Sequence, residues 1–187
     1  MTKRSINTAL SAALLMIFTL GMSSPVQDGI QEGSAAPEFE ITADNGDTYS
    51  IKSMTKDAPA FIVFWKESCP HNRRAAGFFN SLGSAYGEKA NLVGVVSAPD
   101  DRISDWAEEF STSYPLLPDG AKSVIDAYDV SQSIVTYQIG TDGKIAKIFG
   151  GYGFDAMSAL NQAMAEAAGV DAAEVDLSSA PTRTTYG

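Results

Sequence analysis

Apolar runs and amphipathic segments alternate along most of the chain. The clearest run is AFIVFW at residues 60–65, which is rich in aromatic and β-branched side chains and follows the breaker sequence at residues 57–59. A short run of this kind is typical of a strand buried on both faces of a sheet. Apolar residues then recur at helical spacing between residues 75 and 82, which predicts a helix with Pro70 in its first turn.

A second apolar run follows at residues 91–97. A strand, a helix and a strand within this length predict a βαβ unit with parallel strands and a right-handed crossover. Further along the chain, we expect a helix at residues 103–110. Asp100 and Asp101 would cap this helix, and Trp106 would pack in the core.

Turn and stop signals define the remaining elements. Asn45-Gly46 and Asp142-Gly143 are typical turn pairs between short strands, and Gly169 is a typical helix stop. The further predicted elements are strands at residues 33–41, 48–51, 134–139 and 144–150, an extended piece at 114–119, and helices at 52–56, 122–128 and 156–168.

The two ends of the chain differ from this pattern. Residues 1–24 combine a basic start, an apolar middle and small residues after it, which predicts a signal peptide. The protein would then be exported, and in a bacterium we expect it in the periplasm. An uncleaved anchor that faces the periplasm is the alternative, and it would be the chain's only contact with a membrane. We expect a linker at residues 25–33, one domain at 34–169 and a flexible tail at 170–187.

Composition narrows the class of protein. A chain of 187 residues with 44% hydrophobic content is long enough for one globular domain with a real core. The formal net charge of -10 argues against nucleic-acid binding, which depends on neutralising phosphates. One histidine and one cysteine make no convincing zinc site, so we expect neither a metal nor another cofactor.

Cys69, the only cysteine, is the candidate reactive group. It lies where the first strand leads into a helix, and a helix N-terminus stabilises a thiolate. Arg73 and Arg74 would add positive charge. His71 would either tune the thiol or point to solvent, and Asn72 would either hydrogen-bond the sulfur or an attacking partner or lie on the helix surface.

A free cysteine is also often a small buried core residue. The polar neighbours of Cys69 argue against that role, and an unpaired cysteine in an exported protein suggests a reactive thiol or intermolecular pairing.

The segment from Phe64-Trp65 to Cys69-Pro70-His71 resembles the active-site segment of the thioredoxin fold. The resemblance is to the redoxin and AhpC/TSA (alkyl hydroperoxide reductase/thiol-specific antioxidant) group and its TlpA-like relatives. The sequence Ala36-Pro37-Glu38-Phe39 is also similar to the entry of redoxin domains. This resemblance implies an α/β, thioredoxin-like fold, with a central mixed β-sheet flanked by helices and an N-terminal hairpin extension.

The chain departs from each branch of this group. In the two-cysteine families the second cysteine of Cys-x-x-Cys would stand at Asn72. The cis-proline of thioredoxins and TlpA-like proteins matches Ile134. In the peroxiredoxin motif, the threonine or serine falls on Lys66 and the proline on Ile62. Neither the dithiol pair nor the peroxide pocket is intact.

The resemblance implies an exported thiol oxidoreductase with Cys69 as its catalytic residue and a role in antioxidant defence or redox homeostasis. The expected supporting residues are Trp65, Pro70, His71, Asn72, Arg73 and Ile134. The substrate would be a peroxide or a disulfide, and an external thiol reductant or a partner protein must complete the cycle. The alternative is a catalytically decayed protein that uses the surface around Cys69 and Ile134 to bind a partner peptide.

Overall fold

The computed structural model describes residues 30–186 of the chain. The predicted signal peptide and most of the predicted linker lie outside this range. Within it, no helix is both long and apolar enough to span a membrane. The elements in chain order are β1 (Glu40–Thr42), β2 (Thr48–Ser50), α1 (Ile51–Met54), β3 (Ala60–Trp65), α2 (Asn72–Tyr86), β4 (Leu92–Val96), α3 (Asp100–Phe110), β5 (Leu116–Pro118), α4 (Ser123–Ala127), β6 (Val135–Ile139), β7 (Ile145–Gly150) and α5 (Phe154–Ala168), with a 3₁₀ turn at Gly87–Ala90.

A mixed sheet of five strands in the order β5-β4-β3-β6-β7 forms the centre of the domain. Strand β3 pairs in parallel with β4 and antiparallel with β6, so the predicted βαβ unit and the second hairpin are both confirmed. Strands β1 and β2 form a separate antiparallel hairpin, with Ile41 opposite Tyr49. The architecture is thus the predicted thioredoxin-like α/β fold with an N-terminal hairpin.

Strand β3 is buried along its whole length, because helices cover both faces of the sheet. Its alternate residues Phe61, Val63 and Trp65 pack in a cluster with α2, α3 and α5. Ile62 and Phe64 pack on the opposite face with α1 and α4. The continuous apolar run in the sequence is therefore explained by burial on both faces.

Trp65 and Trp106 lie together in the first of these clusters. Their ring centroids are 5.6 Å apart, and Trp65 also meets Phe79 edge to face at 5.2 Å. The core position predicted for Trp106 is therefore correct. Burial raises the pKa of Tyr114 in the same cluster, which keeps its phenol neutral and this core uncharged.

Two predicted helix starts are wrong. Helix α2 begins at Asn72, so Pro70 lies in the turn before the helix and not in its first turn. Helix α3 begins at Asp100, and Pro99 is its N-cap. Asp100 and Asp101 therefore lie in the first helical turn, where negative charge favours the helix dipole, and they do not act as caps.

The described end of the predicted linker is attached to the domain. The N–H of Gly33 donates to the carbonyl of Ile145 at 2.7 Å, and Ile30 packs against the second core cluster. Ala35 forms an isolated bridge with Lys144, so β1 itself begins only at Glu40. Residues 30–36 thus extend along the start of β7.

The C-terminal segment, predicted as a flexible tail, returns across the domain. The Ala173 N–H donates to the Tyr86 hydroxyl at 2.9 Å, and Leu177 packs against the first core cluster. Thr185 and Tyr152 exchange two backbone hydrogen bonds of 2.8 and 2.9 Å. The polar composition misled the prediction, because small apolar residues and main-chain pairing attach this segment.

Replacing Leu177 with serine tests whether this attachment stabilises the domain. We expect the free energy of unfolding to fall by about 1 kcal/mol, because a partly buried leucine loses part of its transfer free energy. Urea denaturation measures the change, and Ser179→Ala at an exposed tail position is the matched control. Equal stability of both variants and the wild type would show that the segment contributes nothing.

Candidate functional site

Cys69 lies in the turn between β3 and α2, at the carboxyl end of the central strand. Its side chain is only 6% exposed. The Cys69 N–H donates to the Lys66 carbonyl at 3.0 Å, and the Cys69 carbonyl accepts the Asn72 N–H at 3.2 Å. We refer to residues 66–72 as the cysteine turn.

Asn72 holds this turn from the inside. It is 1% exposed, and its Nδ2 donates to the carbonyls of Lys66 at 2.9 Å and Glu67 at 3.2 Å. Its Oδ1 is buried and accepts no hydrogen bond from the described residues. Asn72 is thus a buried residue of the turn, so its predicted alternative position on the helix surface is wrong.

Two serines from other elements fix the same turn from outside. The Ser133 hydroxyl accepts the Lys66 N–H at 3.1 Å, and the Ser97 hydroxyl accepts the Glu67 N–H at 3.0 Å. Because Ser133 precedes β6 and Ser97 follows β4, the turn is tied to both strands that flank β3.

His71 is directed toward Tyr152, on the segment between β7 and α5. Its Nδ1 lies 3.1 Å from the Tyr152 hydroxyl, and the His71 tautomer decides which group donates. Tyr152 is fully buried and is the residue that pairs with Thr185 of the C-terminal segment. The His71 side chain is therefore directed toward the fold and not freely into solvent.

The predicted positive partner Arg73 is engaged elsewhere. Its guanidinium binds the Glu109 carboxylate at 2.8 Å and lies 5.6 Å from the centre of the Phe110 ring, both on α3. Glu67 of the cysteine turn pairs with Arg102 of α3 at 3.4 Å. Both ion pairs are partly exposed, so each contributes little to stability.

Ile134 is fully buried beside the cysteine turn, immediately after Ser133. The peptide bond between Ser133 and Ile134 is cis. The Ile134 carbonyl accepts the Gly151 N–H at 2.7 Å. Trp65, in contrast, packs its indole in the core between α2 and α3.

A small cavity of about 200 Å³ opens beside the cysteine turn. We call it the Lys66 cavity; its polar lining is Lys66, Ser97, Lys122, Asp126, Ser131, Gln132 and Ser133. A larger cavity of about 500 Å³ lies at the other end of the sheet, near the start of β4, and no residue of the cysteine turn lines it. Within residues 30–186, no group of three or more acidic, histidine or cysteine side chains is arranged to hold a metal ion.

Sequence reasoning missed Ser97, Ser133 and Tyr152. Ser133 and Tyr152 are 67 and 81 residues from their partners Lys66 and His71. Spacing therefore carried no signal for these contacts. The position of Ser133 directly before Ile134 was the one available indication.

Comparison with known proteins bears on the family and the fold. Residues 33–148 match the AhpC/TSA family. The thiol-disulfide oxidoreductase ResA of Bacillus subtilis is 24% identical over 127 residues, which cover 67% of this chain and 70% of ResA.

Two solved structures show the same fold. The exposed lipoprotein thioredoxin Etrx1 of Streptococcus pneumoniae superposes with a TM-score of 0.59 at 20% identity, over 70% of this chain and 99% of that one. The peroxidoxin BcpB of Mycobacterium tuberculosis superposes with a TM-score of 0.56 at 23% identity, over 64% and 84% of the two chains. The chain thus has the thioredoxin fold shared by thiol-disulfide oxidoreductases and peroxiredoxins.

Replacing Asn72 with alanine tests its role in the turn. The variant leaves the carbonyls of Lys66 and Glu67 without the Nδ2 donor, so we expect the free energy of unfolding to fall by roughly 1–3 kcal/mol. Urea denaturation measures this change, with Arg74→Ala as a control at an exposed neighbour. A variant as stable as the control would show that water replaces the amide without cost.

Proposed function

This chain is a member of the AhpC/TSA family, and we propose that it catalyses thiol–disulfide exchange through Cys69 alone. The observation that carries the proposal is the environment of Asn72. The position at which the two-cysteine relatives would place their second thiol is filled by a buried amide that is committed to the turn. A cycle through an internal disulfide is therefore replaced by a cycle that needs an external thiol.

The exchange proceeds in two balanced steps. The Cys69 thiolate attacks one sulfur of the substrate disulfide, a Cys69–substrate disulfide forms, and the other substrate sulfur leaves as a thiolate that takes up a proton. An external thiolate then attacks the substrate sulfur of this mixed disulfide and releases the Cys69 thiolate. The electrons come from the external thiol, which ends in a disulfide with the substrate.

The other site residues hold Cys69 in place for this attack. Pro70 and Asn72 shape the turn, and the cis bond before Ile134 lies on the segment that Ser133 ties to the turn. His71, held by Tyr152, is the nearest candidate in sequence to give a proton to the leaving thiolate. Arg73 and Trp65 support the scaffold, through α3 and through the core.

A peroxide substrate is less well supported. The position that matches the threonine or serine of the peroxiredoxin motif is the exposed Lys66, and the proline position is Ile62, which is fully buried in β3. Neither side chain offers a hydroxyl that would hold a peroxide oxygen next to Cys69.

Export remains part of the proposal. It rests on the basic and apolar pattern of residues 1–24. Etrx1, whose name describes an exposed lipoprotein, has the same fold. Outside the cytoplasm, disulfide substrates persist, whereas cytosolic thiols are kept reduced.

The low exposure of Cys69 favours one alternative. A thiol that is 6% exposed would suit a binding module that no longer turns over, in which the surface around Cys69 and Ile134 holds a partner peptide. Binding of such a peptide would not depend on the sulfur.

The exchange of hydroxyethyl disulfide with glutathione tests the proposed function. We expect the protein to accelerate this exchange, intact mass to show a transient adduct on Cys69, and Cys69→Ser to abolish both. The control is Ser68→Ala, at an exposed turn residue that keeps the thiol.

A parallel reaction with hydrogen peroxide and dimedone separates the classes. A rapid dimedone adduct without disulfide exchange would overturn the proposal in favour of a peroxidase. If Cys69 is inert in both reactions, the binding module becomes the supported function.

A further inference from the structure

We propose that the Lys66 cavity binds a carboxylate group of the disulfide substrate and so gives the protein a preference for acidic disulfides. This inference rests on the proposed exchange through Cys69. Lys66 forms part of the cavity and also part of the cysteine turn, because its carbonyl accepts the Cys69 N–H at 3.0 Å. The cavity therefore adjoins the turn that carries Cys69.

The cavity presents hydrogen-bond donors that have no acceptor among the described residues. The hydroxyl oxygens of Ser97 and Ser133 each accept a backbone N–H of the cysteine turn, so their own O–H groups remain available. Ser133 is 5% exposed, and a buried hydroxyl donor without an acceptor is costly. An oxygen acceptor from a ligand would satisfy a hydroxyl group of this kind.

The charges around the cavity also favour an anionic ligand. Lys66 and Lys122 line it, and neither forms an ion pair within 4.0 Å inside the described part of the chain. Asp126 is the one acidic side chain in the lining. An excess of lysine at this place is notable in a chain whose net charge is -10.

The nearby carboxylate of Asp119 does not neutralise these lysines by contact. It is 4% exposed and accepts the backbone N–H groups of Ser123, Val124 and Ile125 at 2.8 to 3.0 Å. The oxygens of Asp119 are therefore occupied by the backbone N–H groups at the N-terminus of α4. The ammonium groups of Lys66 and Lys122 remain available to a ligand.

The volume limits what the cavity holds. At about 200 Å³ it is smaller than the pockets of roughly 300–1,000 Å³ that enclose a whole drug-sized ligand. It suits one short side chain or end group of a longer substrate. The shared chemistry is a carboxylate near a disulfide, as in an acidic peptide or in glutathione disulfide.

Three size-matched disulfides test this preference. Dithiodipropionate, hydroxyethyl disulfide and cystamine carry a negative, a neutral and a positive end group on the same ethylene arm. The rate of mixed-disulfide formation on Cys69 is measured for each by mass spectrometry and divided by its rate with N-acetylcysteine amide, a thiol without a charged end group, which removes differences in intrinsic reactivity.

We expect the normalised rates to fall in the order negative, neutral, positive. Lys66→Gln and Lys122→Gln should each reduce the preference for dithiodipropionate over hydroxyethyl disulfide by about fivefold, the effect of one charge about 4 Å away in water. Lys66→Arg should retain the preference, and Lys52→Gln on α1 is the matched control. Added salt should reduce the preference in the wild type.

The outcomes separate this inference from the proposed function. Equal normalised rates, or a lysine variant that slows all three disulfides alike, would overturn the carboxylate site while leaving exchange intact. No reaction with any of the three would overturn the proposed function itself.

A second pair of substrates identifies the source of the carboxylate. If glutathione disulfide shows the Lys66 and Lys122 dependence and a peptide disulfide flanked by glutamate does not, the site serves a small thiol. The reverse result assigns it to acidic protein segments.

Discussion

The structure depends on the burial of β3 on both faces. Every side chain of this strand is buried, so the domain needs helices on each side of the sheet and cannot leave one face open to water. The chain must then leave the sheet through a turn whose first peptide groups are still close to the core. Polar backbone groups in that position need partners. Asn72, Ser97 and Ser133 supply them, and the same contacts determine where Cys69 lies.

The sequence pattern was sufficient for the central part of the fold, because its determinants are local. Strand β3 and the turn pairs Asn45-Gly46 and Asp142-Gly143 are each defined by neighbouring residues, and the mixed sheet follows from the connections between them. The start of α2 was misplaced because proline is common in the first helical turn, where Pro70 was expected. The start of α3 was misplaced because aspartate is favoured both as an N-cap and in the first turn. The C-terminal segment was misjudged because its composition does not reveal backbone pairing with Tyr152.

The candidate site was only partly accessible from sequence. The resemblance identified Cys69, Asn72 and Ile134, whereas the burial of Asn72 and the pairing of His71 with Tyr152 depend on packing. Asn72 also shows how a substitution changes chemistry without opening the turn. An amide has two N–H donors, whereas a thiol is a weak donor. The residue that removes the second sulfur can therefore satisfy two carbonyls, and the turn keeps a fixed shape.

The pairing of Thr185 with Tyr152 connects the C-terminal segment to the cysteine turn through His71. The backbone of Thr185 is hydrogen-bonded to the backbone of Tyr152, and the hydroxyl of Tyr152 contacts His71. A purification tag or fusion partner attached next to Thr185 would lie directly beside that bridge. It would disturb the backbone partner of Tyr152, whose hydroxyl contacts His71, so protein without a tag at this end is the appropriate reference for rates at Cys69.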